Sequence, residues 1–224
     1  MFPFRSYLAC KIAFLAFLLP SSSYPWNLSD PEILMKKIEA AYGEVNDYQV
    51  NMEVRTHGKE GSSEIKKFLY TFKKPKRIRL DFESPYPGMI LVYPGQNGKV
   101  ALRRFFTFHL SPENPLLLVS SWQRIDQTDL GLLIKNISHS VTDRRRGPLE
   151  VTEDDKGVRL RVLADDHFRE GVITRYQFLV DTKLWLPVRV EESTRDGLLE
   201  RSIVFQNLRT NLGVPDNFFQ LNGE

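Results

Sequence analysis

The chain has 224 residues, 42% hydrophobic and 26% charged, with a formal net charge of +3. This is the composition of a folded domain with a core; it excludes a disordered chain and a globally basic binder of polyanions. The single cysteine, Cys10, excludes an internal disulfide framework and a cysteine-ligated zinc site.

At the N-terminus, Arg5 and Lys11 precede the apolar run Ile12 to Leu19, which Pro20 and the serines Ser21, Ser22 and Ser23 follow. The run falls short of the roughly 20 residues a spanning helix needs. It predicts a secretory leader over residues 1–23, cleaved to leave Tyr24 first, with an uncleaved anchor as the competing reading. Cys10 precedes the apolar run, so it is not placed for lipidation. Residues 24–224 are expected to form one domain.

The stretch NLSDPEILMKKIEAAYGEV opens with a Ser-x-x-Glu capping pattern, Ser29 to Glu32, and places Leu34, Ile38, Ala41, Tyr42 and Val45 at helical spacing. The spacing predicts one amphipathic helix ending near Gly43 or Asp47. The period then becomes two: Tyr48, Val50, Met52 and Val54, then Phe68, Tyr70 and Phe72, then Ile78, Leu80 and Phe82. Further strands are expected over 89–93, 99–104, 158–162, 173–180, 187–191 and 201–208, with Asn97-Gly98 and Asp196-Gly197 as hairpin turns. Nine to eleven strands joined mostly by tight turns predict a mainly β, α+β fold: an antiparallel sheet closing toward a barrel. Residues 111–140 interrupt the strands with a Pro-rich loop and a helix whose apolar face is Leu130, Leu133, Ile134 and Ile137.

No nucleotide-binding loop, nucleophile elbow or zinc-protease motif is present, and the histidines at 57, 109, 139 and 167 are dispersed. No cofactor and no enzyme activity is expected. Asp165, Asp166 and His167 form the one cluster with metal-ligand chemistry, yet its position predicts a solvated hairpin loop. The basic run TDRRRGP also reads as a solvated turn. In FKKPKRIRLDF, Arg77, Arg79 and Asp81 alternate with Ile78, Leu80 and Phe82, so the charge is expected on the water side of a strand. The mixed sign argues against a nucleic-acid surface.

The order of these features resembles the LolA family, the periplasmic carriers of outer-membrane lipoproteins, with their relatives LolB and the amino-terminal domain of RseB. The likeness runs from about Pro31 to Leu221 through VNDYQVNMEV, FLYTFKKPKRIRLDF and FLVDTKLWLPVRVEESTRDGLLERSIVFQNLRTNLGVPDNFF, the last being the most specific. The segment WQRIDQTDLGLLIKNI looks more like an uncharacterised branch of that superfamily than like the carrier. The resemblance implies an incomplete antiparallel barrel with an N-terminal helix and a helical lid over an apolar cavity that takes acyl chains. The expected cavity residues are Phe68, Tyr70, Phe72, Ile78, Leu80, Phe82, Leu91 and Leu102; the expected lid residues are Leu130, Leu133, Ile134 and Ile137. In the carrier, an arginine before the proline of the strand-Pro-strand element latches the lid. The matching residue here is Lys74, which lacks the planar fork and predicts a weaker latch. The implied function is a periplasmic carrier for lipid or lipoprotein acyl chains, with a lipoprotein-sorting partner at the inner or outer membrane. The alternatives are an RseB-like sensor module and, further off, a hydrolase; the bland outcome is a barrel whose inward residues simply pack.

Overall fold

The computed structural model describes residues 30–58, 61–95, 98–120, 122–142, 147 and 149–221. The expected leader, Ser29, Asn97 and the arginines of TDRRRGP lie outside the described residues.

Helix α1, Pro31–Gly43, is capped one residue later than expected: Asp30 Oδ1 accepts from Glu32 N at 2.9 Å, with Pro31 in the first turn. Leu34, Met35 and Ile38 form its buried face. Eleven strands follow: β1 Asp47–His57, β2 Ser63–Lys73, β3 Arg77–Ser84, β4 Ile90–Tyr93, β5 Val100–Arg103, β6 Thr107–Leu110, β7 Glu150–Asp154, β8 Gly157–Asp165, β9 Ile173–Asp181, β10 Leu186–Thr194 and β11 Leu199–Thr210. They make one sheet in the order β6-β5-β4-β3-β2-β1-β11-β10-β9-β8-β7, all antiparallel. Strands β6 and β7 are therefore the two edges, and the barrel is incomplete as expected. Helix α2, Leu130–Thr142, lies in the crossover between them.

The registers explain the core. Val50, Tyr70, Leu80, Leu91, Leu102 and Phe108 are successive cross-strand partners, one row from β1 to β6. Val54, Ile203, Val190, Phe178, Leu160 and Val151 form the matching row from β1 to β7. Period-two alternation puts both rows on the same face. That face holds one continuous apolar cluster with the buried residues of α1 and α2. The helices meet tightly: a Cβ on Gly131, in the first turn of α2, would come within 2.6 Å of the Tyr42 hydroxyl.

The outer face is not simply the water side. The chain after β11 turns back across β3 to β5, and a second apolar cluster forms there from Val92, Ala101, Val214, Phe219 and Leu221. Asp47, buried at the start of β1, anchors this return by accepting from Leu212 N, Gly213 N and Val214 N at 2.6, 3.1 and 3.2 Å. Arg79 donates to Phe218 O at 3.0 Å and lies 4.4 Å from its ring, while Lys73 and Arg77 pair with Asp216. The basic strip around Pro75 is thus largely occupied with holding the C-terminal segment. Among the described residues, no helix is long and apolar enough to cross a membrane.

Candidate functional site

The eight predicted cavity residues share the inner face. Phe68, Tyr70, Phe72, Ile78, Leu80, Phe82 and Leu91 are buried, and Leu102 packs against them partly buried. Tyr48, which was not singled out, lies between them and α2: its ring stacks on Tyr70 at 5.8 Å and on Phe72 at 5.1 Å. Leu130, Ile134 and Ile137 are buried against the same cluster, with Leu133 partly exposed. Sheet and helix thus enclose a packed apolar core whose strand side is aromatic.

The insertion is fixed by polar groups that reach across this core. Tyr48 Oη accepts from Leu130 N at 3.0 Å, satisfying an amide at the open N-terminus of α2. Tyr70 Oη shares a 3.1 Å hydrogen bond with Thr128 Oγ1, which donates to Ile125 O at 2.6 Å. Burial, above all, raises the pKa of both phenols well beyond the usual tyrosine value, so both remain neutral hydrogen-bonding groups. Asp129 Oδ1 accepts from Leu132 N at 2.9 Å and caps the helix.

The strongest attachment is one that the sequence reading missed. Arg201 on β11 and its register partner Glu192 on β10 have side chains 1% and 3% exposed and form a bidentate ion pair, with Nε to Oε2 at 2.9 Å. The other guanidinium nitrogen, Nη1, donates to Ser120 Oγ and Gln123 Oε1, each at 2.7 Å. Trp122 lies under two guanidinium groups, 4.3 Å from Arg169 and 5.7 Å from Arg201. Its buried indole N–H has no partner among the described residues. The available signal was the phase: Arg201 falls in step with Ile203 and Phe205, and Glu192 with Val190, so both had to point inward.

Lys74 does not contact α2 in this geometry. Its Nζ donates to Tyr42 O at 3.2 Å and Gly43 O at 3.0 Å, closing the carbonyl end of α1. The arginine that binds the mid-chain insertion is Arg201, not the residue before Pro75.

Beside Arg201 lies a cavity of about 20 Å³ lined by Met52, Gln123, Leu133, His167, Phe205 and others. It holds about one water molecule, against the ~300 Å³ or more of a small-molecule site. The space sits under the β10–β11 half, away from the Phe68–Phe82 strand pair. His167 stacks on Tyr176 at 4.3 Å and meets Ser140 Oγ at 2.8 Å through Nε2; burial pushes its pKa down to about 4. Asp166 accepts from Arg169 and Thr174 and is spent on the β8–β9 turn. Burial alone would raise its pKa, but these hydrogen bonds outweigh burial and lower it. Among the described residues no group of three or more His, Cys, Asp or Glu is arranged to hold a metal ion.

No protein-family profile matches the chain. No curated protein matches it. It is similar to a number of solved structures, including the following three. One is a putative outer membrane lipoprotein-sorting protein domain from Vibrio parahaemolyticus, at 11% identity over 83% of this chain and 95% of that one, TM-score 0.43. Another is the LolA superfamily protein NE2245 from Nitrosomonas europaea, at 10% identity over 85% and 97%, TM-score 0.41. The third is an uncharacterized conserved protein from Thermus thermophilus, at 9% identity over 85% and 92%, TM-score 0.49. Likenesses this distant say nothing of ligand or activity, and the fold stands on the strand order and registers themselves.

Proposed function

We propose that the protein binds acyl chains of lipids or lipoproteins, holding them between the sheet and the mid-chain insertion. The observation that carries this reading is the way the apolar face is closed. The sheet does not close on itself; residues 111–142 cover its open side, tied down by Tyr48, Tyr70, Arg201 and the Lys66 bond to Leu118 O. In the closed form the lumen is filled by Leu130, Ile134 and Ile137 from α2, so a chain enters by taking their place.

The gain and the cost of such an exchange are of similar size. Each buried methylene contributes about 0.8 kcal/mol, so a long acyl chain supplies on the order of 10 kcal/mol. Releasing three aliphatic side chains costs about 1.5–3 kcal/mol each, and each broken hydrogen bond about 1 kcal/mol. With the expected leader, the setting is the periplasm, and the role that of a carrier that shields tails between membrane partners.

Titration with cis-parinaric acid, a fluorescent acyl chain, tests the reading. Saturable one-to-one binding should slow amide exchange in residues 118–142. A folded protein that takes up no probe, with exchange in that segment unchanged, would leave these residues as packed core and end the carrier reading.

A further inference from the structure

The strand registers gather the turns 85–89, 104–106, 166–172 and 195–198 at one rim of the sheet. Exposed large apolar residues collect there: Phe105 is 81% exposed, Phe106 74% and Leu198 72%, with Tyr86 at 43%. Phe105 and Phe106 form the tip of the β5–β6 hairpin directly after Arg103 and Arg104. The Arg104 guanidinium lies 5.3 Å from the Phe105 ring and 5.9 Å from the Tyr86 ring, joining two adjacent turns into one basic and aromatic surface. Among the described residues neither Arg103 nor Arg104 is in an ion pair. Two other turns of the rim carry both signs, Glu170 beside Arg169 and Asp196 beside Arg195, whereas the hairpin tip carries Arg103 and Arg104 with no acidic residue between 100 and 110.

We propose that this hairpin docks the protein on an anionic lipid bilayer, with Phe105 and Phe106 entering the interfacial region and Arg103 and Arg104 meeting lipid phosphates. Three observations favour a bilayer over a protein partner. The exposed rings sit on one hairpin tip and the turn beside it. These three rings, at about 200 Å² each at most, offer less than the ~800 Å² per partner of a stable protein interface. Aromatic rings beside arginines are also the composition that partitions into headgroups, where the ring is buried and the cation stays wet. The inference is independent of whether the lumen takes an acyl chain.

The test is flotation of the full chain with vesicles of phosphatidylethanolamine containing one-third phosphatidylglycerol, and with neutral phosphatidylcholine vesicles. Because residues 12–19 are apolar in every variant, the readouts are ratios between variants and local exchange at 103–108. Phe105→Ser/Phe106→Ser should weaken partitioning about tenfold or more. Arg103→Gln/Arg104→Gln should weaken it about fivefold per arginine, on anionic vesicles only and less at high salt. Anionic vesicles should slow exchange at 103–108 in the wild type. Equal partitioning of all variants, indifference to lipid charge, or unchanged exchange at the hairpin would overturn the proposal. So would sedimentation showing a dimer that the phenylalanine variant dissolves, which would make the tip a self-association surface. Arg104, Phe105 and Phe106 are exposed and Arg103 is half-buried at the end of an edge-side strand, so circular dichroism should report wild-type folding throughout.

Discussion

Replacing Arg201 by methionine removes the guanidinium that hydrogen-bonds from β11 into the insertion. The side chain is 1% exposed and its partner Glu192 3%, so the variant strands a carboxylate inside the core. Breaking one side of such a pair costs about 3–5 kcal/mol, because the remaining charge stays buried and unpaired. Ser120 and Gln123 also lose their shared donor, which adds about 1 kcal/mol each where no water replaces it. Arg201→Met should therefore lower the unfolding free energy by roughly 3–7 kcal/mol, the upper end where no water replaces the lost donor. Arg201→Met/Glu192→Leu removes both charges and should recover most of that loss, to within about 2 kcal/mol of wild type. Urea unfolding followed by circular dichroism gives both values. The double variant isolates the attachment: amide exchange at 118–128 should rise well above wild type while the strands around Ile78 and Phe178 keep their protection. A cost below about 1 kcal/mol for the single variant, or a double variant less stable than the single, would refute the reasoning.

Asp47→Ala leaves Leu212, Gly213 and Val214 without their acceptor; a loss of about 2–3 kcal/mol is expected. Limited proteolysis should then cleave first within 211–221, and cleavage elsewhere would show that Asp47 anchors something else. His167 has a folded pKa of about 4 against an ordinary 6.5, with burial as the main cause, Asp166 opposing it and His139 and Arg201 adding to it. Because the folded value is depressed, stability is fully present above pH 6.5 and declines as pH falls toward 4. The decline is on the order of 3 kcal/mol, and His167→Gln should remove it from the wild-type profile; parallel profiles for the two proteins would contradict this. Lys74→Ala should loosen the last turn of α1 by about 0.5–1 kcal/mol and leave exchange in α2 unchanged. Faster opening of α2 in that variant would restore Lys74 as a latch on the insertion.

The fold was legible wherever an alternating pattern was long. The runs at 48–54, 68–72 and 78–82 gave the inner face in register, because a strand with one buried face admits no slip of a single residue. Strands β6 and β7 were missed for the opposite reason. As sheet edges, Thr107–Leu110 and Glu150–Asp154 bury little, so neither carries the alternation that a half-buried strand must have. The N-cap was placed on Ser29 because a capping box fits there, whereas Asp30 takes the Glu32 amide directly. Lys74 was matched to the carrier's latching arginine through the resemblance alone, and its contact with the carbonyl end of α1 leaves no mark in the local pattern. Arg201 was overlooked as one charge among many in β11, although its phase with Ile203 and Phe205 marked it as buried. The outer-face cluster under Phe219 and Leu221 depends on the chain returning after β11, a long-range contact that leaves no local period.

The central claim is that the lumen exchanges α2 side chains for an acyl chain. Native mass spectrometry of the protein gently purified from the cells that make it tests this most directly. The account predicts a population heavier than the polypeptide by the mass of one lipid or acylated peptide, which collisional activation strips away. The mass released should be lost in the Leu80→Glu variant, provided circular dichroism shows that variant folded; Leu80→Ala, folded but with the row interrupted, should weaken retention as a second check. A single species at the polypeptide mass, unchanged after incubation with phospholipid and free fatty acid, would contradict the claim.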